Sequence, residues 1–144
     1  MPNQTDKITN SKPQITDKTQ AANIPKTQTN YRDLEERTLE FAKKVIYLCK
    51  SLPKNTIGLE LIKQIIRSAC SVGANYREAN EALGKKDFVH RLRISRKEAK
   101  ETTHWLELIL EANPEFKQQI QILIKETQEL RNIISAIIDK ANAQ

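Results

Sequence analysis

From Tyr31 to Ala141 the apolar side chains fall into four runs at helical spacing, parted by short polar links. No other feature narrows the possible folds as far, because side chains repeating every three to four residues cannot line one face of a strand. In the first run Leu34, Phe41, Val45, Leu48 and Leu52 recur, Ala42 and Cys49 widen the same face, and Pro53 ends it. A helix over residues 31–52 follows, with Asn30 as its N-cap and Asp33, Glu35 and Glu36 in first turns where the macrodipole favours negative charge. The second stripe runs through Leu61, Ile62, Ile65, Ala69, Val72, Tyr76, Ala79 and Leu83, with Gly84 expected as its C-cap. Its middle, with Ser68, Ala69, Ser71, Gly73 and Ala74, is small enough for a neighbouring backbone to approach closely. That closeness offsets the penalty of a mid-helix glycine, up to about 1 kcal/mol.

The third run begins near Asp87, and Phe88, Leu92, Ser95, Ala99, Thr102, Leu106 and Ile109 alternate steps of four and three, the spacing of an a/d seam. Asn113 is placed to cap a fourth helix with Pro114 in its first turn, and Phe116, Ile120, Leu123, Thr127, Leu130, Ile134, Ile137 and Ala141 repeat the alternation. Links of a few residues make successive helices antiparallel. The expected fold is therefore all-α, an up-down-up-down four-helix bundle over residues 30–144. With only three Gly and three Phe, the composition agrees with helices rather than sheets.

Residues 1–29 are dominated by Thr, Asn, Gln and Lys, and Ile8, Ile15 and Ile24 have no usable period, so this stretch reads as a disordered polar tail. The chain shows neither the apolar run of a secretion signal nor a stretch long enough to span a membrane, so a cytoplasmic location without membrane association is expected. Cys49 and Cys70 sit inside helical patterns and are expected to be reduced, mostly buried thiols.

Charge gives the first hint of function. The formal net charge is +6, which favours anionic partners. The surplus is local: residues 85–100 hold seven Lys or Arg against Asp87 and Glu98, whereas residues 101–144 hold four against seven Asp or Glu. Arg93, Arg96, Lys97 and Lys100 share one flank of helix three and, with Lys85 and Lys86, are the expected contacts to RNA or DNA phosphates. A solvated face is the bland reading of the same charges. No base-reading motif accompanies them, so contact would be led by the nucleic-acid backbone.

On a helical wheel Ile94, Trp105 and Leu108 lie away from the seam of helix three, and Ile122 and Ile133 away from that of helix four. A second apolar strip on two consecutive helices, holding the sole Trp, reads as a subunit interface and implies a homo-oligomer.

The search for chemistry ends in exclusions. Glu101 and His104 have the E-x-x-H spacing of di-iron bundles, but a chain with two histidines cannot supply the second such pair. His90 and His104 have no evident nucleophile partner, and three scattered glycines cannot build a phosphate loop. No metal, cofactor or catalytic residue is expected, and the protein is read as a non-enzyme. A small metal-dependent enzyme is the remote alternative.

The run Arg67-Ser68-Ala69-Cys70-Ser71-Val72-Gly73-Ala74-Asn75-Tyr76-Arg77-Glu78-Ala79-Asn80-Glu81-Ala82-Leu83, followed by Lys85-Lys86-Asp87-Phe88 and by Arg96-Lys97-Glu98-Ala99-Lys100-Glu101, resembles the bacterial four-helix bundle family. That family is also named for proteins encoded in intervening sequences of large-subunit ribosomal RNA genes. The resemblance covers residues 31–112 well and is looser through helix four. It implies antiparallel protomers assembled into a ring, commonly a homopentamer, with no enzyme activity and no cofactor. A related branch comprises accessory proteins of diversity-generating retroelements, which associate with a reverse transcriptase and nucleic acid; the motifs here match the general family better. Ser71, Asn75, Glu78, Asp87, Phe88, Glu98 and Glu101 match the family pattern and read mostly as architecture. The Asn75 amide is expected to bridge helices and Glu78 to pair with a base of helix three; a shared binding groove is the rival role.

The leading expectation is thus a non-enzymatic oligomeric accessory protein that contacts RNA or DNA. Its alternative is a structural ring that binds a protein partner, such as a reverse transcriptase, and has no nucleic-acid role.

Overall fold

A computed structural model describes residues 26–144, with side chains described from Leu34 onward. The tail expected over residues 1–29 lies outside the described residues as far as residue 25. Four α-helices and no strand occur among the described residues: α1 Lys26–Ser51, α2 Thr56–Asn80, α3 Lys85–Ala112 and α4 Lys117–Asn142, with a 3-10 turn Pro114–Phe116 ahead of α4. Residues Glu35–Gln144 form one compact unit that holds most of α1 and all of α2, α3 and α4. No described helix is long and apolar enough to cross a membrane.

The helices lie where the apolar spacing puts them, but their ends differ. α1 begins at Lys26, ahead of Tyr31, so Asn30 is inside the helix and does not cap it. Lys26 to Asn30 contains no apolar residue; once a helix is nucleated each added residue gains a hydrogen bond, and such an extension leaves no mark in the hydrophobic pattern. At the other end the Lys54 ammonium donates to the carbonyls of Cys49 at 2.9 Å and Lys50 at 3.2 Å, a cation on the negative end of the macrodipole. Asn55 then caps α2, its Oδ1 accepting from the Gly58 N–H at 2.8 Å. A Cβ at Gly58 would sit 2.2 Å from the Pro53 carbonyl oxygen, so this tight link admits only glycine.

Between α2 and α3 the expectation fails in an informative way. α2 ends at Asn80, where Glu81 N–H and Ala82 N–H bond back three residues to Glu78 and Ala79 and tighten the last turn. Leu83, expected in the core stripe, is 100% exposed. Gly84, expected to close α2, is instead extended and leads into α3, its carbonyl accepting from Phe88 N–H at 2.9 Å. Asn113 also changes role: buried, it donates through Nδ2 to the Ile109 carbonyl at 3.1 Å and closes α3 rather than opening α4. Pro114 fits the first position of the turn that follows.

The core is built from Phe41, Val45 and Leu48 of α1, Ile65, Ala69, Val72 and Tyr76 of α2, Leu92, Ala99, Leu106 and Ile109 of α3, and Ile120, Leu123, Leu130 and Ile134 of α4. Val89 and Ile138 are buried where Phe88 and Ile137 were expected, and those two are half-buried. One residue of phase turns a side chain by about 100°, so near a helix end two neighbouring positions compete for the seam.

Buried hydroxyls tie α2 to α3. The Ser95 hydroxyl donates to the Val72 carbonyl at 2.6 Å, and the Thr102 and Ser68 hydroxyls are hydrogen-bonded at 2.9 Å. α1 meets α2 where Gly73 faces Thr38, and Asn80 Nδ2 donates to Glu35 at 2.7 Å. α1 meets α4 through Arg37, which grips both carboxylate oxygens of Glu126 at 2.7 Å and reaches Glu129 at 3.2 Å.

Two outcomes are expected. A Cβ at Gly73 would lie 2.8 Å from Thr38 Oγ1 and 3.1 Å from its Cβ, so Gly73→Ala should lower stability by about 1 kcal/mol although alanine is the better helix former. Thr38→Ala in the same chain should recover part of the loss, a coupling that urea titration of the double-mutant cycle reads directly. Cys70 is exposed and Cys49 buried, and desolvation, partly countered by Lys54, pushes the Cys49 thiol up to about 11. A thiol reagent at neutral pH should modify Cys70 promptly and reach Cys49 only on unfolding, as intact mass would record.

Candidate nucleic-acid interface

The first half of α3 is where charge accumulates. Lys85 and Lys86 occupy its first turn, beside backbone N–H groups that already carry partial positive charge, and Gly84 offers no side-chain cap. The macrodipole disfavours cations there by a few tenths of a kcal/mol each, roughly. Further along, Arg93, Lys97 and Lys100 are exposed and follow one another in steps of four and three, so they form one stripe. Arg96 is half-buried beside it, its guanidinium 3.4 Å from the Ser135 hydroxyl of α4.

Where the nearby carboxylates go decides what this stripe can do. Glu98 and Glu101 turn toward α2, where the Arg67 guanidinium holds both, Glu98 at 3.2 Å. The Trp105 indole N–H donates to Glu101 as well, at 3.0 Å. Asp87 lies 3.9 Å from Arg91. Among the described residues, none of Lys85, Lys86, Arg93, Lys97 and Lys100 has a carboxylate within ion-pair distance. The stripe keeps its charge, and a row of unneutralised cations on a rigid rod raises the local concentration of anions.

Glu101 is therefore engaged, and His104, one turn on, is exposed with its ring edge-on to Trp105, centroids 5.0 Å apart. Among the described residues no group of three or more His, Cys, Asp or Glu is placed to hold a metal ion.

The family-pattern residues take local roles. Ser71 Oγ donates to the Arg67 carbonyl at 2.8 Å, and Asn75 Nδ2 donates to the Ser71 carbonyl at 2.9 Å, so among the described residues the amide serves its own helix. Glu78 is exposed and in no ion pair among the described residues, Asp87 is exposed, and Phe88 is half-buried. The pair expected of Glu78 is absent among the described residues; a different ion pair joins α2 to α3, in which α2 supplies the base, Arg67, and α3 the acids Glu98 and Glu101. Arg67 was the residue missed, and its signal was present as a lone arginine opening the small-residue run, with two glutamates three apart on the next helix. Of the strip read as an interface, Leu108 and Ile122 are exposed, and Ile94, Trp105 and Ile133 are half-buried.

A family model described as 23S rRNA-intervening sequence protein matches residues 33–136. The chain is also similar to a solved structure of a protein with unknown function from the S23 ribosomal protein family of Bacteroides thetaiotaomicron VPI-5482. The two are 35% identical, with a TM-score of 0.68 over 73% of this chain and 97% of that one. Among curated proteins none matches.

Proposed function

The chain belongs to the 23S rRNA-intervening sequence protein family, and from that membership and the unneutralised cations of α3 we propose that it is a non-enzymatic, oligomeric accessory protein of the cytoplasm that binds RNA or DNA. Lys85, Lys86, Arg93, Arg96, Lys97 and Lys100 contact phosphates and leave the bases unread. The observation that carries this reading is the capture of Glu98 and Glu101 by Arg67, which removes the acids nearest to Lys97 and Lys100 from their neighbourhood.

The protomer is an antiparallel bundle. Support comes from contacts whose numbering runs in opposite senses on paired helices: Ser68 meets Thr102 while Val72 meets Ser95, and Thr38 faces Gly73 while Glu35 meets Asn80. Copies assemble through the strip of Ile94, Trp105, Leu108, Ile122 and Ile133 into a ring, with a pentamer favoured by the family resemblance. A second reading, a ring that binds a protein partner such as a reverse transcriptase and no nucleic acid, is favoured by Leu83, wholly exposed on the α2–α3 turn.

Fluorescence anisotropy with mixed-sequence RNA and DNA oligonucleotides separates the two. Affinity should fall linearly with salt on logarithmic axes, by roughly 0.7 per phosphate contacted on a single strand. Lys97→Ala and Lys100→Ala should each lower that slope by about one contact's worth and weaken all sequences alike. Retention that is absent or insensitive to salt would leave the protein-binding ring.

A further inference from the structure

Both histidines of the chain stand on the cationic stripe of α3. Lys86, His90, Arg93, Lys97, Lys100 and His104 follow one another in steps of four and three, and all of them are exposed. From Lys86 to His104 the row is about 27 Å long at a rise of 1.5 Å per residue. It runs along the side of α3 turned away from the buried Leu92, Ala99 and Leu106, so that α2 and α4 flank it and neither covers it. Glu107 and Glu111 continue the same register, and there the charge changes sign. His104 is the last position of the row able to carry positive charge.

One helical turn from His90 stand Lys86, Asp87 and Arg93, and Asp87 lies 3.9 Å from Arg91. One turn from His104 stand Lys100, Glu101 and Glu107. Glu101 is held by Arg67 of α2 and by the Trp105 indole, which leaves Glu107 as the free acid beside His104 among the described residues. Of the flanking helices, α2 presents Arg67, and α4 presents Arg131 and Asp139, one turn to either side of the Ser135 that meets Arg96. Among the described residues neither histidine has a hydrogen bond or an ion pair, and the ring contact of His104 is with Trp105. His90, between two cations, is the inner of the pair; His104, between Lys100 and Glu107, is the outer, where the row ends.

An imidazole is the side chain whose ordinary charge change falls near neutral pH. The row thus has four fixed cations and two that respond to pH. A phosphate set beside an imidazole favours its charged form by attraction of opposite charges. We infer that His90 and His104 are further phosphate contacts on the face of α3, and that the protein takes up protons when it binds nucleic acid. The inference rests on the nucleic-acid reading above and adds two contact residues and a pH dependence to it. A group that holds its proton more tightly in the complex contributes affinity that is fully present below the pH at which it titrates when free. That contribution is lost as pH rises through the value in the complex. Binding therefore strengthens toward acid pH, where the row is fully charged, and weakens toward alkaline pH, where only the lysines and the arginine remain.

Anisotropy titration of the full chain with a mixed-sequence single-stranded RNA, over a range of salt at about pH 5.5 and about pH 8, tests this. For the wild type, the slope of log affinity against log salt should be steeper by about 1.4 at the lower pH, two contacts at about 0.7 each. His90→Gln/His104→Gln should show one slope at both pH values, and His90→Lys/His104→Lys the steep slope at both. Calorimetry near neutral pH in buffers of different ionisation enthalpy should record proton uptake on binding by the wild type and none by the glutamine variant. Both positions are exposed, and circular dichroism checks that each variant stays helical. A wild type that binds RNA at neither pH would overturn the nucleic-acid reading itself. A wild type that binds with the same slope at both pH values would overturn the histidine contacts alone. So would a glutamine variant that keeps the steepening or the proton uptake, or a lysine variant whose slope at alkaline pH is no steeper than that of the wild type.

Discussion

The close approach of α2 to α3 governs where the other groups end up. A serine side chain is short, and for Ser95 to reach the Val72 carbonyl at 2.6 Å the two backbones must come together with little between them. The small, fully buried Ala69 and Ala99 allow this, and the Ser68–Thr102 hydrogen bond makes a second tie along the same seam. Each such bond contributes about 1 kcal/mol net, but an unmade one in a dry seam costs more than that, so the pairing admits one register. That register sets Arg67 opposite Glu98 and Glu101. Glu98 and Glu101 turn inward to α2, and Arg93, Lys97 and Lys100 keep the outer flank.

The ion pairs and the core act at different scales. Burying a large apolar side chain is worth about 1.5–3 kcal/mol, and Phe41, Ile65, Leu92 and Ile134 are each essentially fully buried. A half-exposed pair such as Arg67 with Glu98 is worth at most about 1 kcal/mol. Stability therefore comes from the seams, while the pairs arrange charge. Arg37 on Glu126 is the nearest to an exception, since its two-pronged grip joins α1 to α4 and raises the affinity of the guanidinium for its proton. Lys85 and Lys86 gain nothing in stability from the first turn of α3. Residues that break a local rule without a compensating contact are those for which a functional role is the natural account.

Periodicity carried most of the fold. The stripes of Val45 and Leu48, Ile65 and Val72, Leu92 and Leu106, and Leu123 and Leu130 point inward as their spacing requires, because burial of a continuous seam outweighs any single residue's preference. The ends were harder to read. Phe88 against Val89 and Ile137 against Ile138 differ by one position, and the larger or earlier residue is no guide to which one faces the core. Gly84 has the composition of a C-cap, yet α2 had already stopped at Asn80, and the glycine opens the next helix. Of the candidate site, the basic stripe was legible as a local excess of Lys and Arg. What neutralises those charges was not, because it depends on which residue of another helix stands opposite.

Hydrogen exchange resolved amide by amide tests the governing role of the α2–α3 seam most directly. If the seam is the last part of the protein to open, the amides of residues 68–76 and 92–102 should exchange only through global unfolding, with the highest protection in the chain. Faster exchange there than in the cores of α1 and α4 would mean that the seam is a consequence of the fold and not its foundation.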